Sequence, residues 1–243
     1  MDSPVTSPSN PKLRLVRRLQ SASQRRRLGL FTCEGEDLVA AGLDAGLEPV
    51  EVLIDAERPA LTERLPEATL VVPKLLAELS ELAHPPRLIA VFRRAVLPRL
   101  ERASAPEAGL ALWRVADPGN VGALLRSVDA LGPGFVCLSA GCADPTGPKA
   151  LRAAMGAIFR VPLGGFDEAP GRRVGLVAHG GSPLSQLDLS GPVCFVLGGE
   201  REGLTDEVAA GCDELATIPL ASGAESLNVA TAGAIALYER QRR

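Results

Sequence analysis

The chain has 243 residues, of which 23% are charged and 3% aromatic, with a net charge of −3; this is length enough for one or two domains with a real core. No apolar run approaches the ~18 residues of a membrane span and no signal-peptide core opens the chain, so the sequence predicts no membrane segment and a cytoplasmic location. Five cysteines, Cys33, Cys137, Cys142, Cys194 and Cys212, are odd in number and lack C-x-x-C spacing; with only His84 and His179 beside them they form no zinc pattern and read as buried thiols.

The small net charge conceals an asymmetry. Residues 1–33 carry Lys12, Arg14, Arg17, Arg18, Arg25, Arg26 and Arg27 against Asp2 alone, a local charge of +6 that leaves −9 on the remainder. One basic end on an acidic protein predicts a localised polyanion contact, with nucleic acid as the expected partner.

Ser9-Asn10-Pro11 marks a helix start, and Leu13, Val16 and Leu19 form an apolar seam beneath the arginines. Leu30–Cys33 reads as a strand, and Glu34-Gly35 turns into a helix bearing Leu38, Val39, Ala41 and Leu43. Val50–Ile54 is a second strand, Pro59–Leu65 a short helix, Thr69–Val72 a third strand, Pro73–Leu82 a helix and Leu88–Phe92 a fourth strand. This alternation predicts parallel pairing with helices on both faces. Pro98, Ala103, Ser104, Ala105 and Pro106 suggest a linker over 98–108, dividing a domain of residues 1–97 from one of 109–243.

Longer apolar strands follow at Leu110–Val115, Phe135–Ser139, Val174–Ala178, Val193–Leu197 and Leu215–Ile218, with helices over 120–131, 148–156, 205–211 and 226–240. Three loops carry candidate chemistry. In Asp117-Pro118-Gly119-Asn120-Val121-Gly122 the following helix has an apolar stripe of Val121, Leu124, Leu125 and Val128. Arg126 lies off that stripe, about 40° from Gly122 around the axis, and leans back over a residue with no side chain to block it. Its planar fork there suits a phosphate or carboxylate, the alternative being an exposed arginine beside Asp129.

The second loop, Leu197-Gly198-Gly199-Glu200-Arg201-Glu202-Gly203-Leu204, leaves a buried strand and precedes Thr205, a candidate N-cap. Glycines at a strand's carboxyl end offer backbone N–H groups to a ligand. The pattern is neither a P-loop nor G-x-G-x-x-G, and Glu200 between glycines reads as a loop pin that accepts hydrogen bonds. In the third, Leu215–Leu220 ends a strand at Pro219, Ala221-Ser222-Gly223-Ala224-Glu225 turns, and Ser226-Leu227-Asn228-Val229 opens a helix of small residues. Ser226, or Ser222 paired with Glu225 in a capping box, is the expected cap. A hydrolase triad finds no support: G-x-S-x-G is absent.

These loops, in this order and spacing, resemble the SpoU (TrmH) family of RNA ribose methyltransferases within the SPOUT superfamily. Asn120 and Arg126 fit its first motif, Gly198, Glu200, Gly203 and Leu204 its second, and Ile218-Pro219 with Ser226–Val229 its third. Residues 9–93 resemble a small RNA-binding domain shared by ribosomal proteins, which precedes the catalytic domain in ribosomal-RNA members. The resemblance implies an α/β fold: a small α/β/α RNA-binding domain, then a parallel-sheet SPOUT domain with a deep C-terminal trefoil knot. It further implies a homodimer packed through the knot, methylation of a ribose 2′-hydroxyl of RNA, S-adenosylmethionine as methyl donor, and no metal. The residues it assigns to catalysis are Arg126, Asn120, Ser226, Asn228 and Glu200. Those it assigns to the cofactor are Leu197, Gly198, Gly199, Gly203, Ile218, Leu220, Ser226, Leu227 and Asn228, and the seven N-terminal cations go to RNA. Ala154, Ala230 and Pro86-Arg87 depart from the family pattern and bear on the choice of RNA. Ribosomal RNA is the expected substrate; transfer RNA, base methylation or RNA binding without turnover are the rival expectations.

Overall fold

The computed structural model describes residues 3–63, 65, 67–80, 85–222 and 224–243; Asp2, Leu82, His84 and Gly223, used in the sequence reading, lie outside this set. The chain forms two units. One takes the chain up to Leu97 together with Thr146–Leu151, the other Pro98–Pro145 with Arg152–Arg243.

In the first unit, α1 (Pro11–Leu19) starts as its sequence predicts. The Asn10 side chain accepts from the Lys12 N–H at 2.9 Å, and Pro11 stands in the first turn, where a missing N–H costs nothing. Leu13, Val16 and Leu19 are fully buried against Leu53, Ile89 and Val91. Helix α2 (Ala22–Leu28) ends on Gly29 at φ 64°, the left-handed cap that glycine adopts without a steric penalty. Then come β1 (Leu30–Glu34), α3 (Glu36–Asp44), β2 (Glu51–Asp55), a 3₁₀ turn at Pro59–Glu63, β3 (Thr69–Val71), α4 (Pro73–Ala77) and β4 (Leu88–Arg93).

The sheet order is β1-β4-β2-β3, and the expected parallel pairing holds only between β2 and β3. Strand β4 runs antiparallel to both β1 and β2. Its five consecutive buried residues mark it as central. An apolar run reports burial on both faces but reads the same in either direction.

The basic end is less uniform than its charge count. Arg14, Arg18, Arg26 and Arg27 are exposed. Lys12 reaches Glu51 at 2.8 Å, and Arg17 lies 3.7 Å from Glu78. Arg25 corrects the sequence reading: it is 4% exposed, and its Nη1 donates to the carbonyls of Leu19 and Gln20, both at 2.9 Å. Those carbonyls close α1, where helix geometry leaves acceptors unsatisfied. Arg25 holds two helices together and is not presented to a polyanion.

Beyond Leu97 the chain forms β5 (Ala108–Trp113), α5 (Pro118–Leu131), β6 (Gly134–Leu138), α6 (Pro148–Ala154), β7 (Leu163–Gly165), β8 (Arg172–Leu176), β9 (Ser182–Pro183), β10 (Val193–Gly198), α7 (Asp206–Ala210), β11 (Glu214–Thr217) and α8 (Val229–Gln241). The sheet, ordered β7-β6-β5-β10-β8-β11-β9, is parallel throughout. All five predicted strands are present. The added edge strands, β7 and β9, are too short and too rich in glycine or proline to show a period. The expected linker begins inside the second unit, since Pro98 O accepts from Leu163 N–H and Leu100 N–H donates to Leu163 O. Helices α5 and α8 meet at Gly233, where a Cβ would lie 2.4 Å from Leu124 Cδ2; the small residues of α8 are what permit this approach.

Cys33, Cys137 and Cys194 are buried, whereas Cys142 and Cys212 are only half-buried and donate to the carbonyls of Leu112 and Val208. Burial pushes the Cys137 thiol up to about 12, so it stays protonated at neutral pH.

If Arg25 is structural, Arg25→Ala should cost about 1–3 kcal/mol of stability, the scale for removing a charged donor from buried acceptors. Arg26→Ala should remain within about 0.5 kcal/mol. Urea unfolding of the two variants beside the parent checks the contrast.

Candidate active site

In a parallel sheet every strand delivers its following loop to one edge, and ligands bind outside the carboxyl ends. Here the loops after β5, β10 and β11 meet at that edge. The loop after β10 is closed by its own backbone: Gly203 N–H donates to Gly199 O at 2.9 Å, with Gly203 at φ 64°. A Cβ on Gly198 would lie 2.0 Å from the Gly203 carbonyl carbon and 2.3 Å from Leu204 N, and one on Gly199 would lie 2.7 Å from Arg114 O. Gly203 thus has the left-handed backbone expected of a glycine. The close approach at Gly198 is to the loop itself, a contact that sequence spacing does not reveal.

Closing the loop in this way aims Glu200 at the start of α5. Its Oε1 accepts from Asn120 Nδ2 at 2.8 Å and from Asp117 N–H at 3.2 Å, while Oε2 accepts from Ala116 N–H at 3.3 Å. Asp117 caps α5 by accepting from Asn120 N–H at 3.1 Å. Asn120 Oδ1 in turn accepts from Asn228 Nδ2 at 3.0 Å, and Asn228 Oδ1 accepts from the N–H groups of Ala230 and Thr231 at 2.9 and 3.2 Å.

Asn228 is therefore the N-cap of α8, and the expectation of a cap at Ser226 or Ser222 is corrected. Two N–H groups at the first turn need an acceptor, and the Asn228 carbonyl supplies it from a non-helical residue at φ −56°, ψ 139°. Residues 226–228 precede the helix and line a cleft instead of starting it. Thr205, by contrast, caps α7 as expected.

The cleft, about 590 Å³, is bounded by the second and third loops and the end of β8. Its walls include Leu197, Gly198, Gly199, Gly203, Ile218, Leu220, Ser226, Leu227 and Asn228, together with Glu200. The sequence reading missed Leu176, Val177, Ala178, Arg201, Glu202 and Ala232. The carboxyl end of β8 was the available signal for the first three, but their side chains are plain aliphatics. Arg126 stands outside this lining. It is exposed on α5 and, among the described residues, has no hydrogen-bond or ion-pair partner. Its exposure agrees with the alternative of a surface arginine; it makes no ion pair with Asp129, whose carboxylate Arg160 takes with Nη2 at 2.7 Å and Nε at 3.0 Å. Among the described residues no cluster of three or more His, Cys, Asp or Glu could hold a metal, and no helix is long and apolar enough to cross a membrane.

The SpoU rRNA Methylase family matches residues 107–238. The 23S rRNA (uridine(2479)-2′-O)-methyltransferase of Streptomyces viridochromogenes is 30% identical over 93% of this chain and 87% of its own. The 23S rRNA (guanosine(2553)-2′-O)-methyltransferase of Bacillus subtilis is 30% identical over 96% of this chain and 97% of its own. Among solved structures, an AdoMet-bound rRNA methyltransferase from Sinorhizobium meliloti superposes with a TM-score of 0.84 at 30% identity, covering 99% of this chain and 97% of that one.

Burial pushes the Glu200 carboxyl up, but the hydrogen bonds from Asn120 and from backbone N–H groups outweigh it and hold the group below its ordinary value of 4.5. Its contribution is therefore complete above the unfolded-state value and is lost as pH falls through the lower folded value. Glu200→Gln, which turns an amide N–H toward Ala116 N–H, should destabilise the protein most at neutral pH. The gap from the parent should narrow as pH falls from about 7 into the range below 4.5, where the parent's carboxyl protonates. Urea midpoints measured at both ends of that range check it; a gap independent of pH would mean that the carboxylate does not hold the loops.

Proposed function

Because the chain belongs to the SpoU rRNA Methylase family, which covers its residues 107–238, we propose that it transfers a methyl group from S-adenosylmethionine to a ribose 2′-hydroxyl of ribosomal RNA, in the large-subunit RNA. The observation that carries this reading is the Glu200–Asn120–Asn228 chain, which joins three loops around one cleft; Arg126, on the same helix as Asn120, has no partner among the described residues. The cleft suits the cofactor in size, and its apolar Leu197, Ile218, Leu220 and Leu227 lie beside the acidic Glu202, a lining fitted to a flat heterocycle and a cationic centre.

When bound, S-adenosylmethionine supplies an electrophilic methyl on a sulfonium. Leu197, Gly198, Gly199, Gly203, Ile218, Leu220, Ser226, Leu227 and Asn228 would hold it. Asn120 and Asn228 each keep one amide N–H outside the bonds described, with which to orient the ribose. The Arg126 guanidinium offers N–H donors and no acceptor atom. Its part is to position an RNA phosphate, which takes the hydroxyl proton as the methyl is transferred, and to stabilise the emerging alkoxide.

The same reading assigns RNA contact to the exposed Arg14, Arg18, Arg26 and Arg27, with Lys12 and Arg17 partly neutralised by Glu51 and Glu78. It also includes a C-terminal trefoil knot, a cytoplasmic location and a homodimer, for which the exposed Ile235 and Tyr238 of α8 offer an apolar face. Because α1 supplies Leu13, Val16 and Leu19 to the core, the basic face is tested by side-chain replacement, not truncation. Alanine at Arg14, Arg18, Arg26 and Arg27 together should flatten the log–log salt dependence of RNA binding by roughly 0.7–0.9 for each phosphate that is no longer neutralised. S-adenosylmethionine affinity should be unchanged.

The activity itself is tested by incubating the protein with labelled S-adenosylmethionine and an unmodified 23S ribosomal RNA transcript, then identifying the methylated nucleoside. Label on a base, or no label on the transcript, would overturn the reading. In single turnover at saturating RNA and cofactor, Arg126→Ala should lower the rate constant by about 10² or more, the scale for losing one transition-state donor. Arg126→Lys should be nearly as poor, since it lacks the planar fork.

A further inference from the structure

Arg114 follows directly on the last residue of β5, between the two loops joined by Glu200, yet it belongs to none of the motifs. Its backbone sits at φ 52°, a left-handed conformation that is costly for a residue with a side chain and persists only where the surroundings over-determine it. The surroundings do so here. Arg114 N–H donates to Ser139 Oγ at 2.9 Å. Its carbonyl lies against Gly199, and its Cγ lies 3.3 Å from where Gly141 would carry a Cβ. The side chain is held as firmly: Cζ lies 5.3 Å from the centre of the Trp113 ring, which packs on Phe166 at 5.1 Å.

What this arrangement holds is an exposed cation with no counter-charge. Among the described residues no acceptor or carboxylate pairs with the guanidinium. Arg114 is also absent from the lining of the cofactor cleft, so its charge lies outside that site. A guanidinium stacked on an aromatic ring loses little freedom on binding, and its fork matches phosphate oxygens.

We propose that Arg114 is a further RNA-contacting residue, its guanidinium holding a phosphate of the strand whose ribose is methylated. This rests on the RNA methyltransferase reading.

Glycine at this position separates binding from structure, because it relieves the left-handed conformation while removing the cation. Arg114→Gly should unfold at the parent's temperature or above and bind S-adenosylmethionine as the parent does. Its dissociation constant for the unmodified 23S ribosomal RNA transcript should rise about tenfold, the scale of one charge-assisted hydrogen bond, and the salt dependence should flatten by roughly 0.7–0.9. Arg114→Lys should recover the salt dependence but not the full affinity. RNA affinity and salt dependence equal to the parent's in Arg114→Gly would overturn the proposal. So would parallel losses of RNA and cofactor binding, which would make Arg114 part of the loop framework. A parent that neither binds nor methylates the transcript overturns the methyltransferase reading itself, and the two failures are thereby distinguished.

Discussion

The carboxyl edge of the parallel sheet depends on one directional constraint, set where α8 begins. Two N–H groups of that first turn are taken by Asn228 Oδ1, so Asn228 meets Asn120 with its amide nitrogen, which can only donate. Asn120 must then accept through Oδ1 and donate through Nδ2, and the chain of donors needs a full acceptor at its far end. An ionised carboxylate, acceptor at both oxygens, is the side chain that meets that need, and Glu200 also takes two backbone N–H groups from the turn before α5. One helix cap thus orients two amides and one carboxylate on three loops. Reversing any link would set donor against donor.

Glycine makes this closure sterically feasible. Gly198 and Gly199 let backbone pass backbone beside the Gly203 turn, and Gly233 lets α8 lie against α5. The first pair sets where the Glu200 carboxylate emerges; the last sets the distance between the helices carrying Asn120 and following Asn228. Packing and hydrogen bonding are consequently not separable here. A side chain at any of these glycines would displace the amides as well as strain the core.

The arginines acquire meaning only when each is assigned a partner. Arg25 closes a helix end, and Arg160 neutralises Asp129. Among the described residues, Arg126 and Arg114 have no counter-charge. An exposed cation with no counter-charge is available to a polyanionic substrate in a way that a paired or buried one is not. Counting basic residues measures the general attraction to RNA, whereas pairing decides which of them can act on it.

Much of this was legible in the sequence, for reasons that are local. Continuous apolar runs marked β5, β6, β8, β10 and β11, Asn10-Pro11 marked the start of α1, and glycines around an acidic residue marked a loop pinned by Glu200. Each of these signals is carried by residues adjacent in the chain. The direction of β4, the existence of β7 and β9, the burial of Arg25 and the cap at Asn228 were decided only by the tertiary structure. An apolar run has no polarity, and a two- or three-residue strand has no period. A serine and an asparagine compete equally for a cap until one finds a distant partner. The bonds from Asn228 to Asn120 and from Asn120 to Glu200 span 108 and 80 residues. Burial is written in local composition, whereas the choice of hydrogen-bond partner is made only when the fold brings separated segments together.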